Sequence, residues 1–399
     1  MWRPILDGDA AAAARAVVDE IARALHDPPP PYDGRLVDEG LCASLMAREP
    51  GFALFFHYLG DRTRAQAQLG RAWDAVPQIA DSRPFYAYGF AGTAWAVAHL
   101  MEGADDLVAD VDGALLELVR ALPVDGDLGV RKGIAGYGVY ALERLPAARP
   151  LLEAVIERLA AARDWRTARS LYAEGVRDHL PERVDDLGLW DGALGPLAVA
   201  GAAAGAGIAG ARELFERGAT WVWSLARPKA EARWFAGLDP RVDDAAYWCS
   251  GEVGIAGALH AAAAAAGARD WQGRALEHAR ALARRPLRVA EATLCHGACG
   301  AAQVWMRLHD ATDDPLFAEA ARGALETALG YHRPGEPLAG FRTWSPPEDA
   351  ALIPELDAGW VALPGLLKGA AGIGLTLLAA CGVEPAWDRA LLLSTRRFE

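Results

Sequence analysis

The chain has 399 residues, of which 52% are hydrophobic and 23% are charged. This composition is typical of an ordered globular protein, and a chain of this length is ordinarily divided into two or three domains. The formal net charge of −13 argues against a nucleic acid as partner, because binding to phosphates requires clustered lysine and arginine side chains.

The cysteines and the hydropathy pattern predict a cytoplasmic location. Five cysteines form an odd set in a long chain, and the first residues run into an acidic, alanine-rich helix instead of a secretory leader. We therefore expect free thiols in a reducing compartment. The most apolar segments, 196–211 and 253–266, are rich in glycine and alanine, and they are too short and too weakly hydrophobic to predict a transmembrane segment.

Helices are predicted along the whole chain. Alanine and leucine dominate while β-branched residues are few, which favours helices over strands. In residues 151–159 apolar side chains recur at helical spacing and charged ones occupy the other face. Similar amphipathic helices are predicted near residues 104–122, 211–225, 271–284 and 314–331.

A pair of glycines three positions apart recurs between these helices, and an apolar segment follows each pair. The pairs are, in chain order, Gly89 and Gly92, Gly133 and Gly136, Gly192 and Gly195, Gly251 and Gly254, Gly297 and Gly300, and Gly369 and Gly372. A degenerate copy precedes them, with Arg48 in the first position and Gly51 in the second. The copies are roughly 40 to 70 residues apart, which is the range of helical-hairpin repeats.

This repeat predicts an all-α fold, an α/α toroid of about seven helical hairpins in an inner and an outer ring, as a single domain over 1–399. A helix that is apolar all round must be buried, so the segments after the glycine pairs form the inner ring. The glycines allow close approach of the backbone and leave amide donors at the helix N-termini. The competing interpretation, which we prefer for most copies, is that they only form tight turns.

The residues just before the glycines of the fifth and sixth copies of the repeat, counting the degenerate copy as the first, predict a metal site. Cys249 lies two residues before Gly251, while Cys295 and His296 directly precede Gly297. If the repeats superpose, these three side chains are neighbours, and two thiolates with one imidazole and an open fourth position form a catalytic zinc site. The spacing is no standard zinc motif, and a free cysteine is more often a small buried hydrophobic residue, so both interpretations stay open on spacing alone.

Several segments carry a resemblance to a known family: residues 51–56, 88–95, 187–189, 248–251, 295–297, 369–377 and 387–394. In these segments, which span nearly the whole chain, the sequence resembles the lanthionine synthetase C-like proteins, the cyclases of lanthipeptide biosynthesis. In that family the cysteine of a Trp-Cys pair and a Cys-His pair bind zinc. The resemblance therefore implies that Cys249, Cys295 and His296 bind Zn²⁺.

The chemistry that the resemblance implies is a thia-Michael addition. A peptide cysteine occupies the fourth zinc position as a thiolate, and its sulfur attacks the β-carbon of a dehydroalanine or dehydrobutyrine in the same peptide. An acid then protonates the enolate, which leaves a thioether ring. The chain has no room for a kinase, lyase or dehydratase domain, so we expect a stand-alone cyclase whose dehydrated precursor peptide comes from separate dehydratase or kinase/lyase proteins.

The positions around the implied zinc ligands depart from the family pattern. Asp191 stands where the family has a histidine, directly before the fourth copy of the repeat. Gly129 stands in place of an aspartate, with Asp127 two residues earlier, and Ala245 stands in place of an arginine, with Arg241 a turn earlier. Asp191 has three interpretations. It is a catalytic acid whose pKa is raised by burial, a fourth ligand that closes a structural zinc site, or the N-cap of a helix.

Four further residues are candidates for substrate binding. Trp190, Tyr247 and Trp248 are placed to line a peptide groove, although packing in the core explains such tryptophans equally well. Arg131 is placed to orient an enolate or a substrate carboxylate. The competing interpretation is that its side chain is simply solvated at the rim of the fold.

Other functions remain open at this point. One is an enzyme that adds a small thiol such as glutathione to dehydrated residues. Another is a degenerate cyclase homologue that binds or chaperones the modified peptide, which the altered positions support and the retained zinc ligands oppose. A glycosidase on a toroid of this kind requires paired carboxylates, and beside Asp191 no convincing second one stands out.

Overall fold

The computed structural model describes residues 2–26, 42–79, 84–123, 126–162, 186–227, 234–235, 245–345 and 359–394. These residues are mainly α-helical, with two three-residue strands and two short 3-10 helices at Pro337–Gly340 and Ala386–Leu391. The elements are, in chain order, α1 (Gly8–Ala24), α2 (Glu49–Leu59), α3 (Arg62–Ile79), α4 (Phe90–Leu100), α5 (Asp105–Ala121), α6 (Ile134–Glu143), α7 (Arg149–Ala161), α8 (Leu194–Gly205), α9 (Ala211–Ser224), α10 (Glu252–Ala265), α11 (Arg269–Ala283), α12 (Ala298–Thr312), α13 (Pro315–Gly330), β1 (Thr343–Ser345), β2 (Gly359–Val361) and α14 (Ala370–Ala380).

The helices that follow the glycine pairs are buried along most of their length. All residues of α14 are buried, as are the residues of α8 from Leu194 to Ala203. Neither helix carries a charged side chain, so every face can lie against apolar neighbours without an unpaired charge. The prediction of apolar, buried helices after the glycine pairs is confirmed.

The helices between them bury one face only. In α5 the buried residues Val108, Val111, Leu115 and Val119 recur every three or four positions. Full burial of such side chains contributes roughly 1.5–3 kcal/mol each. Asp105 and Asp106 lie in the first turn of this helix and a basic residue in its last, which is the favourable order for the helix dipole.

The chain divides into two compact units. Unit 1 comprises Met1–Arg83, Tyr88–Ala96 and Leu287–Pro385, and unit 2 comprises Pro84–Ala87, Val97–Pro286 and Ala386–Glu399. In unit 1, α14 packs against α1, α2 and α12, and in unit 2, α8 packs against α6, α9 and α10. The single domain over 1–399 stays a prediction. Within the described ranges, none of the helices combines the length and the hydropathy that crossing a membrane requires.

The glycine pairs allow close packing and do not supply left-handed turns. A Cβ on Gly195 would lie 2.6 Å from the carbonyl oxygen of Leu189, and one on Gly297 would lie 2.6 Å from that of Glu291. Gly297 has a φ of −113°, which any residue adopts. The interpretation as plain tight turns is therefore incomplete, because these glycines are required where a loop carbonyl touches the helix start.

The same loops occupy amide groups that the sequence suggested would stay available. The first amide of α6, at Ile134, donates to the carbonyl of Asp127 at 3.0 Å, and that of α12, at Ala298, donates to Glu291 at 3.0 Å. An amide that already donates to a loop carbonyl has no proton left for a ligand. The expectation of available donors is wrong for these two helices.

Candidate metal centre

The candidate site residues lie on four loops of seven residues, each ending at the first glycine of a pair. We name them loop 3 (127–133), loop 4 (186–192), loop 5 (245–251) and loop 6 (291–297). The fifth position of these loops holds, in order, Arg131, Trp190, Cys249 and Cys295, and the sixth position holds Lys132, Asp191, Ser250 and His296. The repeat therefore presents different chemistry at equivalent backbone positions.

Backbone hydrogen bonds tie loops 3, 4 and 5 together within unit 2. The amides of Val130 and Arg131 donate to the carbonyl of Trp190 at 2.9 and 3.2 Å. The amides of Leu189 and Trp190 donate in turn to the carbonyl of Cys249 at 2.8 and 3.1 Å. These bonds fix the fifth positions of the three loops side by side, so Arg131, Trp190 and Cys249 are neighbours.

The predicted metal ligands come together. The Sγ atoms of Cys249 and Cys295 and a ring nitrogen of His296 all lie within 4.8 Å of one another. Both cysteines are buried, while His296 is partly buried. Among the described residues this group includes no carboxylate, so Asp191 is not part of it.

The donor set fits zinc. Bond lengths of about 2.0–2.3 Å in a tetrahedral site put neighbouring ligand atoms roughly 3.5–3.8 Å apart, and the separations in this group are at most 4.8 Å. Two soft sulfur atoms and an imidazole suit zinc, whereas magnesium and calcium prefer oxygen ligands. Cys249, Cys295 and His296 thus form a candidate metal-binding site.

Asp191 pairs with Arg131 and does not cap α8. The Nε of Arg131 donates to Oδ1 of Asp191 at 2.8 Å. Burial raises the pKa of Asp191, Arg131 lowers it, and nearby Asp127 and Cys249 raise it further. The N-cap of α8 is Ala193, without a side-chain cap bond, so the N-cap interpretation is wrong.

A second acid, Asp186, lies in the same loop and was missed from sequence. It is 4% exposed, and its Oδ1 accepts from the amide of Gly188 at 2.8 Å. Oδ2 is buried without a hydrogen-bond partner among the described residues. Burial raises the pKa of Asp186 to about 7, and the nearby charges of Asp191 and Cys249 also raise it.

A signal for Asp186 was present in the chain. The order Asp-Leu-Gly occurs both at 127–129 and at 186–188. In loop 3 the amide of Gly129 likewise donates to Oδ1 of Asp127, at 2.7 Å. Such a bond from an amide two residues on is the ordinary turn-forming role of aspartate, so the pattern predicts the turn but not the burial that changes the pKa.

The aromatic candidates are packed. The rings of Trp190 and Trp248 have centroids 5.3 Å apart, and these residues are 5% and 1% exposed. The Nε1 of Trp248 donates to the carbonyl of Leu391 at 3.3 Å. Tyr247 is partly buried. A groove-lining role for these residues stays a prediction.

Of the positions that depart from the family pattern, Ala245 forms part of the loop frame, since its carbonyl accepts from the amide of Val253 at 3.0 Å. Arg241, which the sequence offered as a nearby replacement for the arginine, lies outside the described residues.

Comparisons with known proteins identify the family and the fold of the chain. The family model described as lanthionine synthetase C-like protein matches residues 49–392. No curated protein matches the sequence. Among solved structures, nisin cyclase superposes with a TM-score of 0.67 at 16% sequence identity, over 95% of this chain and 97% of that one. This likeness confirms the predicted all-α toroid fold, and the family match shows that the chain belongs to the lanthionine synthetase C-like proteins.

Proposed function

We propose that the chain is a stand-alone, zinc-dependent lanthipeptide cyclase that closes thioether rings in a dehydrated precursor peptide. The observation that carries this proposal is the group of two cysteine sulfurs and one imidazole nitrogen within 4.8 Å of one another, without a described carboxylate among them. A set of three protein ligands leaves a fourth tetrahedral position for a substrate. Membership of the lanthionine synthetase C-like proteins supports the same reaction class.

Zinc held by Cys249, Cys295 and His296 would supply Lewis acidity that keeps a peptide cysteine ionised at neutral pH. The carbon–sulfur bond forms as the sulfur adds to the β-carbon of the dehydrated residue, and the carbon–carbon double bond becomes single. The α-carbon then takes a proton, for which Asp191 is the donor. The proton lost by the peptide thiol restores Asp191 through water, so the reaction consumes no further reagent.

Asp191 is suited to this step by its surroundings. Burial favours the protonated carboxyl, because an ionised one loses its hydration. Arg131 holds the carboxylate that remains after proton transfer, through the 2.8 Å bond from its Nε. Arg131 is therefore a positioning residue for the acid in this proposal, and its predicted role in binding a substrate carboxylate stays a prediction.

A second candidate function is that of a homologue that binds the modified peptide without closing rings. The positions that depart from the family pattern, Asp191, Gly129 and Ala245, support it. The proposal, whether cyclase or binding protein, includes separate dehydratase or kinase/lyase proteins as partners. It also includes a cytoplasmic location.

The experiment is a ring-closure assay on a synthetic peptide that carries one dehydroalanine and one cysteine, with no partner protein added. Ring closure leaves the mass unchanged but protects the peptide from thiol alkylation, whereas addition of glutathione raises the mass. We expect the zinc-loaded protein to protect the peptide, and Cys295→Ala to lose both zinc and protection. Cys42→Ala is the matched control, since Cys42 is a partly buried thiol outside the ligand group.

Full zinc content without protection of the peptide would favour the binding protein over the cyclase. A glutathione adduct would favour the small-thiol enzyme. If the zinc-free protein were as active as the zinc-loaded protein, the zinc-dependent cyclase and the zinc-dependent small-thiol enzyme would both be overturned.

A further inference from the structure

Two tryptophans of unit 1 lie exposed beside each other. Trp344 in β1 is 46% exposed and Trp360 in β2 is 47% exposed. Their ring centroids are 5.8 Å apart with the planes at 67°. The other large hydrophobic side chains exposed in the described ranges are Met101 and Leu107. An exposed pair of the largest aromatic side chains is the kind of surface that binding sites use.

The register of the sheet turns both rings to the same face. Trp344 and Trp360 are directly opposite each other in an antiparallel pair. The flanking residues of β1, Thr343 and Ser345, are buried, so the strand alternates between a covered and an open face. Side chains directly opposite on one face are in contact range, which explains the ring contact.

The hydrogen bonds show to which side of the sheet the backbone groups of Trp360 point. The amide of Trp344 donates to Oε2 of Glu291 at 2.8 Å, so it points away from β2. Opposed residues of an antiparallel pair either exchange both bonds or direct both pairs of groups outward. The amide and carbonyl of Trp360 therefore point to the outer edge of β2, where they can pair with an added strand.

Glu291 ties this sheet to the loop of the metal ligands. Glu291 is the first residue of loop 6, which ends in Cys295, His296 and Gly297. Its buried carboxylate accepts from the hydroxyl of Thr343 at 2.8 and 2.9 Å and from that of Thr293 at 2.5 Å. The tryptophan pair is thus held at a fixed position relative to two of the candidate ligands.

We propose that Trp344, Trp360 and the outer edge of β2 dock an extended segment of the peptide substrate that carries apolar and basic side chains. The peptide backbone pairs with Trp360 as an added strand. The indole rings cover an apolar side chain and accept a cation on their faces. This inference rests on the proposed function, since it assigns the substrate of that function a binding surface.

The net charge of the whole chain favours one class of occupant for this surface. The net charge of −13 attracts a cationic peptide and repels a second copy of the chain. It also repels an anionic lipid surface, which binds basic segments. Among the occupants that an exposed tryptophan pair could accept, a basic peptide is the one that the charge favours.

The test measures binding of a fluorescent synthetic peptide of alternating lysine and valine, which contains neither cysteine nor dehydroalanine. We expect Trp344→Ala and Trp360→Ala each to weaken binding at least about tenfold, the scale of an aromatic hot spot. N-methylation of alternate peptide amides removes the added-strand bonds and is expected to weaken binding similarly. Met101→Ala, which removes an exposed apolar side chain of unit 2, is the matched control and leaves binding unchanged.

The outcomes separate this inference from the proposed function. Peptide affinity equal in wild type and both tryptophan variants overturns the docking surface. It is also overturned if Trp360→Ala abolishes a dimer in sedimentation, or if both variants lose binding to anionic vesicles while the peptide binds unchanged. Loss of peptide binding in both variants, together with no ring closure by the wild type, leaves the docking surface standing and removes the cyclase.

Discussion

The candidate ligand group, Cys249, Cys295 and His296, contains no described carboxylate, whereas the acid group consists of Asp191 held by an ion pair with Arg131. Cys249, Cys295 and His296 follow the family pattern, and they come together as that pattern implies. Asp191 departs from it, and it forms a 2.8 Å ion pair with Arg131 that the sequence did not indicate. The residue types of the ligands determine whether a site binds a metal, whereas the role of an acid depends on the groups that are packed around it.

Removal of a ligand is expected to have the largest effect. Cys249→Ala leaves two protein ligands, and we expect zinc affinity to fall by more than about 100-fold, beyond the loss caused by altering a residue that only supports a ligand. Competition with a chromophoric chelator measures this. Cys299→Ala is the comparison variant, because Cys299 is fully buried and its pKa is raised to about 12. Equal affinities in the two variants would contradict the ligand assignment.

The acid group gives the next largest effect. Asp191→Asn removes a proton donor, and we expect ring closure to slow by roughly 100- to 10,000-fold, the usual contribution of general acid catalysis. Zinc content stays the same because Asp191 is not in the ligand group. A zinc titration beside the rate measurement separates these effects, and a rate equal to that of the wild type would exclude Asp191 as the acid.

The ion pair predicts a direction of change with pH. A protonated acid is lost as pH rises through its pKa, so the rate falls on that side. Arg131 lowers the pKa of Asp191, hence Arg131→Gln raises it and moves the falling limb to higher pH. The pH profile of kcat/KM measures this shift. If the fall in kcat/KM occurred at the same pH or at a lower pH in Arg131→Gln, the ion pair of Arg131 with Asp191 would not control the acid.

Asp186 predicts a pH dependence of stability. Its pKa is raised from 3.8 to about 7, so the folded state holds a proton that the unfolded state has released between these values. The contribution of Asp186 to the free energy of unfolding therefore falls as pH rises from about 4 to about 7, by an amount on the order of a few kcal/mol. Asp186→Asn keeps an acceptor for the amide of Gly188 and flattens this fall. Urea unfolding at several pH values measures it, and parallel curves for both proteins would refute it.

The smallest expected effect concerns the glycines. In Gly195→Ala the new Cβ would lie 2.6 Å from the carbonyl of Leu189, and we expect a loss of about 1–3 kcal/mol, as for other overpacked sites. Gly70 lies in α3 with no atom within 4 Å of such a Cβ. Gly70→Ala is therefore expected to stabilise the fold by about 0.4–1 kcal/mol. Thermal unfolding measures both changes in stability. If Gly195→Ala and Gly70→Ala changed the stability in the same direction, the close-packing account would be contradicted.

The helices were predictable because their signals are local and repeated. Each glycine pair marks the start of a buried helix, and the spacing of Val108, Val111 and Leu115 marks a helix with one buried face. The raised pKa of Asp186 was not predictable, since it depends on burial and on charges from other loops. The tryptophan pair was equally hidden, because residues 344 and 360 become neighbours only through strand pairing. Local patterns therefore predicted the frame, the family resemblance implied the metal ligands, and long-range packing determined the acids and the surface.

The most direct test of the central claim is X-ray absorption at the zinc edge, recorded on the loaded protein before and after addition of a cysteine-containing peptide. The account predicts two sulfur ligands and one imidazole with a light fourth ligand, and a third sulfur when the peptide is added. A spectrum that shows four protein ligands on zinc and does not change when the peptide is added would contradict an open Cys2His site.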